Sequence, residues 1–127
     1  MKLHPSILAA FLALTGLTAQ AQTAPAAKAK GPAAETAQLK TSAVCDMCKA
    51  RLEKGLAYEK GVQSATLDVP SQVLTVTFRP DKTSLAALRT AVQKTGYDAD
   101  AQPAEPRAYT RLPECCKKTN AVHADGK

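Results

Sequence analysis

"GVQSATLDVPSQVLTVTF" occupies residues 61–78. It contains two alternating runs about a turn. In the first, Ala65, Leu67 and Val69 fall on one side, and Ser64, Thr66 and Asp68 on the other. In the second, Leu74, Val76 and Phe78 face one way, and Val73, Thr75 and Thr77 the other. Period-two alternation on both sides of "PSQ" reads as a β-hairpin with one buried face.

The flanks decide what that hairpin belongs to. Upstream, residues 46 to about 58 read as a helix. Cys48, Leu52 and Leu56 share one face, while Lys49, Arg51, Glu53 and Lys54 face out. Gly55 weakens this helix slightly, and Gly61 ends the turn after it. Downstream, Leu85, Leu88 and Val92 give the apolar stripe of a second helix. Thr83 or Ser84 is its N-cap and Gly96 its stop. Further out, "AQLKTSA" begins at Ala37 with Leu39 inward, and "YDADAQ" ends at Gln102 as a final edge strand. The order is βαββαβ over residues 37–102. This is an α+β, ferredoxin-like sandwich: an antiparallel four-stranded sheet with two helices on one face. So small a core commits Leu52, Leu56 and Phe78 to packing.

The chemistry lies in "CDMC". Cys45 and Cys48 stand where a loop enters the first helix. There, free backbone N–H groups and the helix dipole favour thiolate over thiol. The spacing lets both sulfurs point at one centre. Two thiolates suit a soft ion of low coordination number, Cu(I) or Hg(II). They do not complete the four-ligand shell of structural zinc, although Zn(II) stays among the candidates.

Residues 37–102 resemble the heavy-metal-associated domain family. That family includes copper chaperones, the N-terminal domains of copper-exporting ATPases and the periplasmic mercury-binding protein of mercury-resistance operons. The resemblance rests on "CDMCKARLEKGL", "GVQSATLDV", "VLTVTFRPDKTS" and "LAALRTAVQKTGYDAD", in that order. It implies that Cys45 and Cys48 are the metal ligands and that Tyr97, after Gly96, supports them from behind. Tyr97 also reads as an ordinary packing residue. The family usually carries Gly-Met-Thr before its first cysteine. Here those positions are Ser42, Ala43 and Val44. Met47, between the cysteines, reads as an exposed apolar loop residue or as a thioether near the ion.

A second pair, Cys115 and Cys116, lies in "LPECC" within the tail, residues 103–127. Adjacent cysteines make a poor mutual disulfide. From Pro103 the chain can reach ~40 Å at ~3.3 Å per residue, enough to return to the first pair. The pair reads as auxiliary metal ligands, as partners of Cys45 or Cys48 under oxidation, as a bridge to another chain, or as bystanders. Tyr109 and Leu112 give the segment apolar groups with which to dock, and the remainder, with His123, is expected to fray. "CDMCK" early and "LPECC" late also resemble exported bacterial members of the family with such a tail.

The N-terminus begins "MKLHPSILAAFLALTGLTAQAQ". Lys2, an apolar run of roughly a dozen residues and "AQA" have the layout of a signal peptide, residues 1–21, cleaved near Ala21. The run is short of the ~20 residues that a membrane span needs. Residues 22–36, rich in Ala, Pro and Lys, read as a flexible linker. The chain has 17 Lys and Arg against 11 Asp and Glu, net +6, and 4% aromatics. The basic residues are scattered and few aromatics accompany them, which argues against a nucleic-acid surface.

These features predict a periplasmic or otherwise exported metal carrier or scavenger, not an enzyme. It would be a monomer or a metal-bridged dimer, passing its ion by ligand exchange at an exposed loop to a membrane metal transporter or efflux component. The alternative is a thiol–disulfide oxidoreductase using Cys45 and Cys48. The helix–strand order and the lack of a Trp before Cys45 oppose it.

Overall fold

The computed structural model describes residues 33–124. The expected signal peptide and most of the expected linker lie outside them. Strand β1 spans Glu35–Lys40, so the sheet begins two residues before Ala37. Helix α1 spans Asp46–Ala57, β2 Val62–Asp68, β3 Val73–Phe78 and α2 Leu85–Thr95. A short helix α3, Pro106–Thr110, and a 3₁₀ turn, Glu114–Cys116, follow in the tail.

The sheet is antiparallel in the order β1-β3-β2. Leu74 of the central strand faces Leu39 on one side and Leu67 on the other. All three are buried with Val76 and Phe78 on the face that meets the helices. Helix α1 contributes Cys48, Leu52 and Leu56 to this core, and α2 contributes Leu88, Ala91 and Val92. Gly55 lets the helices approach: a Cβ there would stand 2.7 Å from Thr95 Cγ2. Ser84 caps α2 by accepting from the Ala87 N–H at 3.2 Å.

The expected fourth strand does not form. Residues 97–102 make single bridges, Thr41 to Ala99 and Ala99 to Gln102. The reason is local. Asp100 adopts φ +52, which turns the chain. Its N–H still reaches the Lys40 carbonyl at 2.8 Å, but the Lys40 N–H is taken by Asp100 Oδ1 at 3.0 Å. A side chain thus occupies the place of a ladder carbonyl, and pairing stops after one step.

The tail does not fray within the described residues. Leu112 and Cys116 belong to the core cluster, and Tyr109 packs against it. Glu105 N–H donates to the Gln93 carbonyl at 3.1 Å and Ala104 N–H to Asp98 Oδ1 at 2.8 Å. His123 N–H donates to the Val44 carbonyl at 2.7 Å. Gly96 makes the seat possible. It closes α2 at φ +105, and a Cβ there would meet Leu112 Cδ2 at 2.9 Å and the Ala108 oxygen at 3.0 Å.

Candidate metal centre

The loop between β1 and α1 is fixed from three sides. Thr41 N–H and Oγ1 both donate to the Gln72 carbonyl, and Gln72 Nε2 donates to the Ala43 carbonyl at 2.9 Å. Asp98 N–H donates to Ser42 Oγ at 2.9 Å. Ala43 and Val44 are buried. The loop is therefore held although Ser42, Ala43 and Val44 stand where the family it resembles usually carries Gly-Met-Thr. Gln72 reads in the sequence as an ordinary turn residue, yet it sits at φ +58 to reach the loop.

Cys45 is the N-cap of α1, in extended conformation, and Cys48 lies in the first turn. Their sulfurs are 3.0 Å apart. Cys116 Sγ comes to 3.8 Å from Cys45 Sγ, and Cys115 Sγ to 4.0 Å from Cys116 Sγ. The sulfurs of Cys45, Cys115 and Cys116 all lie within 4.8 Å of one another. All four cysteines are free thiols. Met47 is 51% exposed, and its thioether accepts from the Cys115 thiol at 3.7 Å. Tyr97 is fully buried, and its hydroxyl finds no well-formed partner among the described residues. The groups that face it are the thiols of Cys48 and Cys116.

The first pair does not stand on an exposed loop as expected. Cys45 is 1% exposed and Cys48 fully buried, beneath a Cys116 that is itself fully buried. Only Cys115 is exposed. The sequence concealed this because the cover comes from a distant segment.

Burial and ionisation compete here. Burial first, then the Cys48 thiol, push the Cys45 thiol up from its ordinary value, against the pull of the Cys48 backbone N–H. Burial also opposes ionisation of Cys48. There, contacts from the Cys45 thiol, the backbone at Val44, Tyr97 and Cys116 outweigh it and hold the thiol below its ordinary value. Burial, then Cys48, push Cys116 well up, and the same two causes push the Tyr97 phenol up further. The helix start therefore favours thiolate at Cys48 and not at Cys45. The donor set is all sulfur, which fits soft ions and not hard ones. Two sulfurs bound on opposite sides of one ion by bonds of about 2.3 Å stand about 4.6 Å apart, so the Cys45–Cys48 pair must open to take one.

Residues 41–98 match the profile of the heavy-metal-associated domain. Over 70 residues the chain is 40% identical to a copper-exporting P-type ATPase of Staphylococcus aureus. That stretch is 54% of this chain and 9% of the ATPase. Among solved structures, the chain resembles oxidized MerP from Ralstonia metallidurans CH34, with a TM-score of 0.51 at 26% identity. The match covers 54% of this chain and 96% of that one. It resembles, at TM-score 0.51 and 28% identity, the N-terminal domain of a potential copper-translocating P-type ATPase from Bacillus subtilis in its Cu(I)-loaded state. There the cover is 58% of this chain and 94% of the other. The likeness to a CopZ metallochaperone, at TM-score 0.50 and 24% identity over 51% of this chain and 98% of that one, concerns the fold alone.

Proposed function

We propose that this protein, whose residues 41–98 match the heavy-metal-associated domain profile, carries a soft metal ion on its cysteine thiolates and passes it on by ligand exchange. The observation that supports this most is the convergence of Cys45 and Cys48 at the start of α1, 3.0 Å apart. Cu(I) is the first candidate, since the ATPase relative is a copper exporter and the Bacillus subtilis domain is Cu(I)-loaded. Hg(II) has the same preference for two thiolates, and Zn(II) asks for more ligands than the pair provides. The acceptor is a membrane metal transporter, and the site of action is the periplasm or another exported setting. The leader-like residues 1–21 support export. Among the described residues no helix is long and apolar enough to cross a membrane.

The burial of Cys45 speaks against the oxidoreductase reading. An attacking thiol must be accessible and low in pKa, whereas Cys45 is covered and its thiol is pushed up.

The test is an anaerobic titration of the reduced chain with Cu(I), Hg(II) and Zn(II) against competing chelators, with insulin reduction assayed alongside. We expect one tightly held Cu(I) or Hg(II), lost in the Cys45→Ser/Cys48→Ser double variant, and no insulin reduction. Affinities unchanged in the double variant would sink the assignment. N-terminal sequencing of protein recovered from the periplasm of an expressing bacterium tests export, with Gln22 the expected first residue.

A further inference from the structure

We propose that the docked tail completes a three-thiolate metal site, formed by Cys45, Cys115 and Cys116, distinct from the Cys45–Cys48 pair. The inference rests on the soft-metal reading above and deepens it. The two sets share Cys45. Cys48 partners it when the tail is away, and the tail cysteines partner it when the tail is seated.

Geometry singles out the triad. Three sulfurs in a plane around one ion, with metal–sulfur bonds of about 2.3 Å, stand about 4 Å from one another. Cys45 to Cys116 is 3.8 Å and Cys116 to Cys115 is 4.0 Å, and all three sulfurs lie within 4.8 Å. The triad therefore matches a trigonal ion nearly as it stands. The Cys45–Cys48 pair, at 3.0 Å, has to open by more than an ångström to embrace a two-coordinate ion.

The tail is built to hold this position. Leu112 sits against Gly96, which lacks the Cβ that would expel it. Lys118 Nζ bonds Asp98 Oδ2 at 3.0 Å, directly beyond the cysteine pair. His123 N–H bonds the Val44 carbonyl, the residue before Cys45. Contacts on both sides of residues 115–116 thus tie them to the metal loop, so little ordering remains to be done on binding.

Each ligand differs in access. Cys45 and Cys116 are covered, and Cys115 is exposed beside the Met47 thioether. An arriving ion meets Cys115 first. As each metal–sulfur bond forms, the corresponding S–H proton passes to solvent, so loading releases about three protons per ion instead of two. No electron is transferred. Release runs in reverse: the tail lifts, Cys48 replaces the tail sulfurs, and a partner thiolate attacks the two-coordinate ion.

The full-length chain loaded anaerobically with one Cu(I) tests this by X-ray absorption and by the rate of transfer to a competing chelator. We expect three sulfur scatterers in the parent, in a monomer by sedimentation. Cys115→Ser and Cys116→Ser should each lower the count to two and speed transfer at least about tenfold. Cys48→Ser should keep three. Cys115 is exposed, so its replacement leaves the fold intact and the comparison interpretable. Two sulfurs in the parent, unaffected by either tail substitution, overturn the triad while leaving the carrier reading standing. A count that falls with Cys48 and not with Cys115 also overturns it, as does a metal-bridged dimer. Failure of the parent and of every variant alike to hold Cu(I) or Hg(II) overturns the carrier reading and the triad together, whereas loss of the ion in Cys48→Ser alone overturns the triad only.

Discussion

The Tyr97 hydroxyl is buried beside the thiols of Cys48 and Cys116 without a well-formed partner among the described residues, and this makes it informative. A buried hydroxyl without a good partner adds little to stability, whereas a donor aimed at a thiolate helps hold charge on sulfur. Tyr97→Phe should therefore change the unfolding free energy of the metal-free chain by less than ~1 kcal/mol. It should also raise the rate of Cu(I) transfer to a chelator by about tenfold or more, since hydrogen bonds to charged groups are worth ~1.5 kcal/mol or more. Tyr58→Ala is the control, because Tyr58 is 82% exposed at the far end of α1. Equal transfer rates in both variants would reduce Tyr97 to a packing residue. Resemblance pointed to Tyr97 before any geometry was known, because it follows the glycine that ends α2. Its orphaned hydroxyl was not legible, since that depends on Cys116 arriving from the tail. Ser42 and Val44 were legible only as departures from a pattern. Their use is to accept bonds from Asp98 and His123, both distant in the chain.

Elements bounded by strong local signals were readable, and those bounded by side-chain substitution were not. The hairpin follows from alternation about "PSQ", and the limits of α2 follow from Ser84 and Gly96. The missing fourth strand turns on Asp100, whose side chain replaces a ladder carbonyl and pairs with Arg89 at 2.8 Å. The Arg89 bond first, and then the Lys40 N–H, hold the Asp100 carboxyl below its ordinary value. Because the folded pKa is depressed, this stabilisation is present above the unfolded value near 3.9 and disappears as pH falls through the folded value. Asp100→Asn keeps an acceptor for Lys40 and tolerates φ +52, so it removes chiefly the charge. Denaturant unfolding should show a loss of under ~1 kcal/mol at pH 7, since the pair is about a third exposed, shrinking as pH falls through the folded value. A loss that is constant with pH would assign the effect to backbone geometry and not to charge. Gly96→Ala tests the junction of α2 and tail. A positive φ and two close contacts oppose the added methyl. Thermal unfolding should show destabilisation of more than ~1 kcal/mol.

At the scale of the molecule, a small three-stranded sheet with two helices is roofed by the chain's own C-terminal tail. The sequence showed that the tail was long enough to return and carried groups fit for docking. It did not show the seat, which exists because Gly96 leaves room for Leu112. Four free thiols then divide sharply by access, with Cys115 outside and Cys45, Cys48 and Cys116 beneath. Covered thiols react with an alkylating reagent only through local opening, at a rate set by the free energy of that opening. The intact reduced chain should therefore show one rapidly labelled thiol, Cys115, and three slow ones. Leu112→Ala removes the main apolar contact of the seat, at a cost of ~2–3 kcal/mol to docking. Each 1.4 kcal/mol is a factor of ten, so labelling of Cys45 should accelerate about 30- to 150-fold. Leu52→Ala cuts the core instead and serves as the comparison. It should lower the melting temperature more than Leu112→Ala does, yet expose Cys45 less at temperatures where the chain stays folded. Mass spectrometry of peptides after timed labelling reads each cysteine separately. An intact chain that labels Cys45 as fast as Cys115 would mean that the roof does not close in solution. Equal Cys45 rates in the intact and Leu112→Ala chains would mean that Leu112 does not hold it shut.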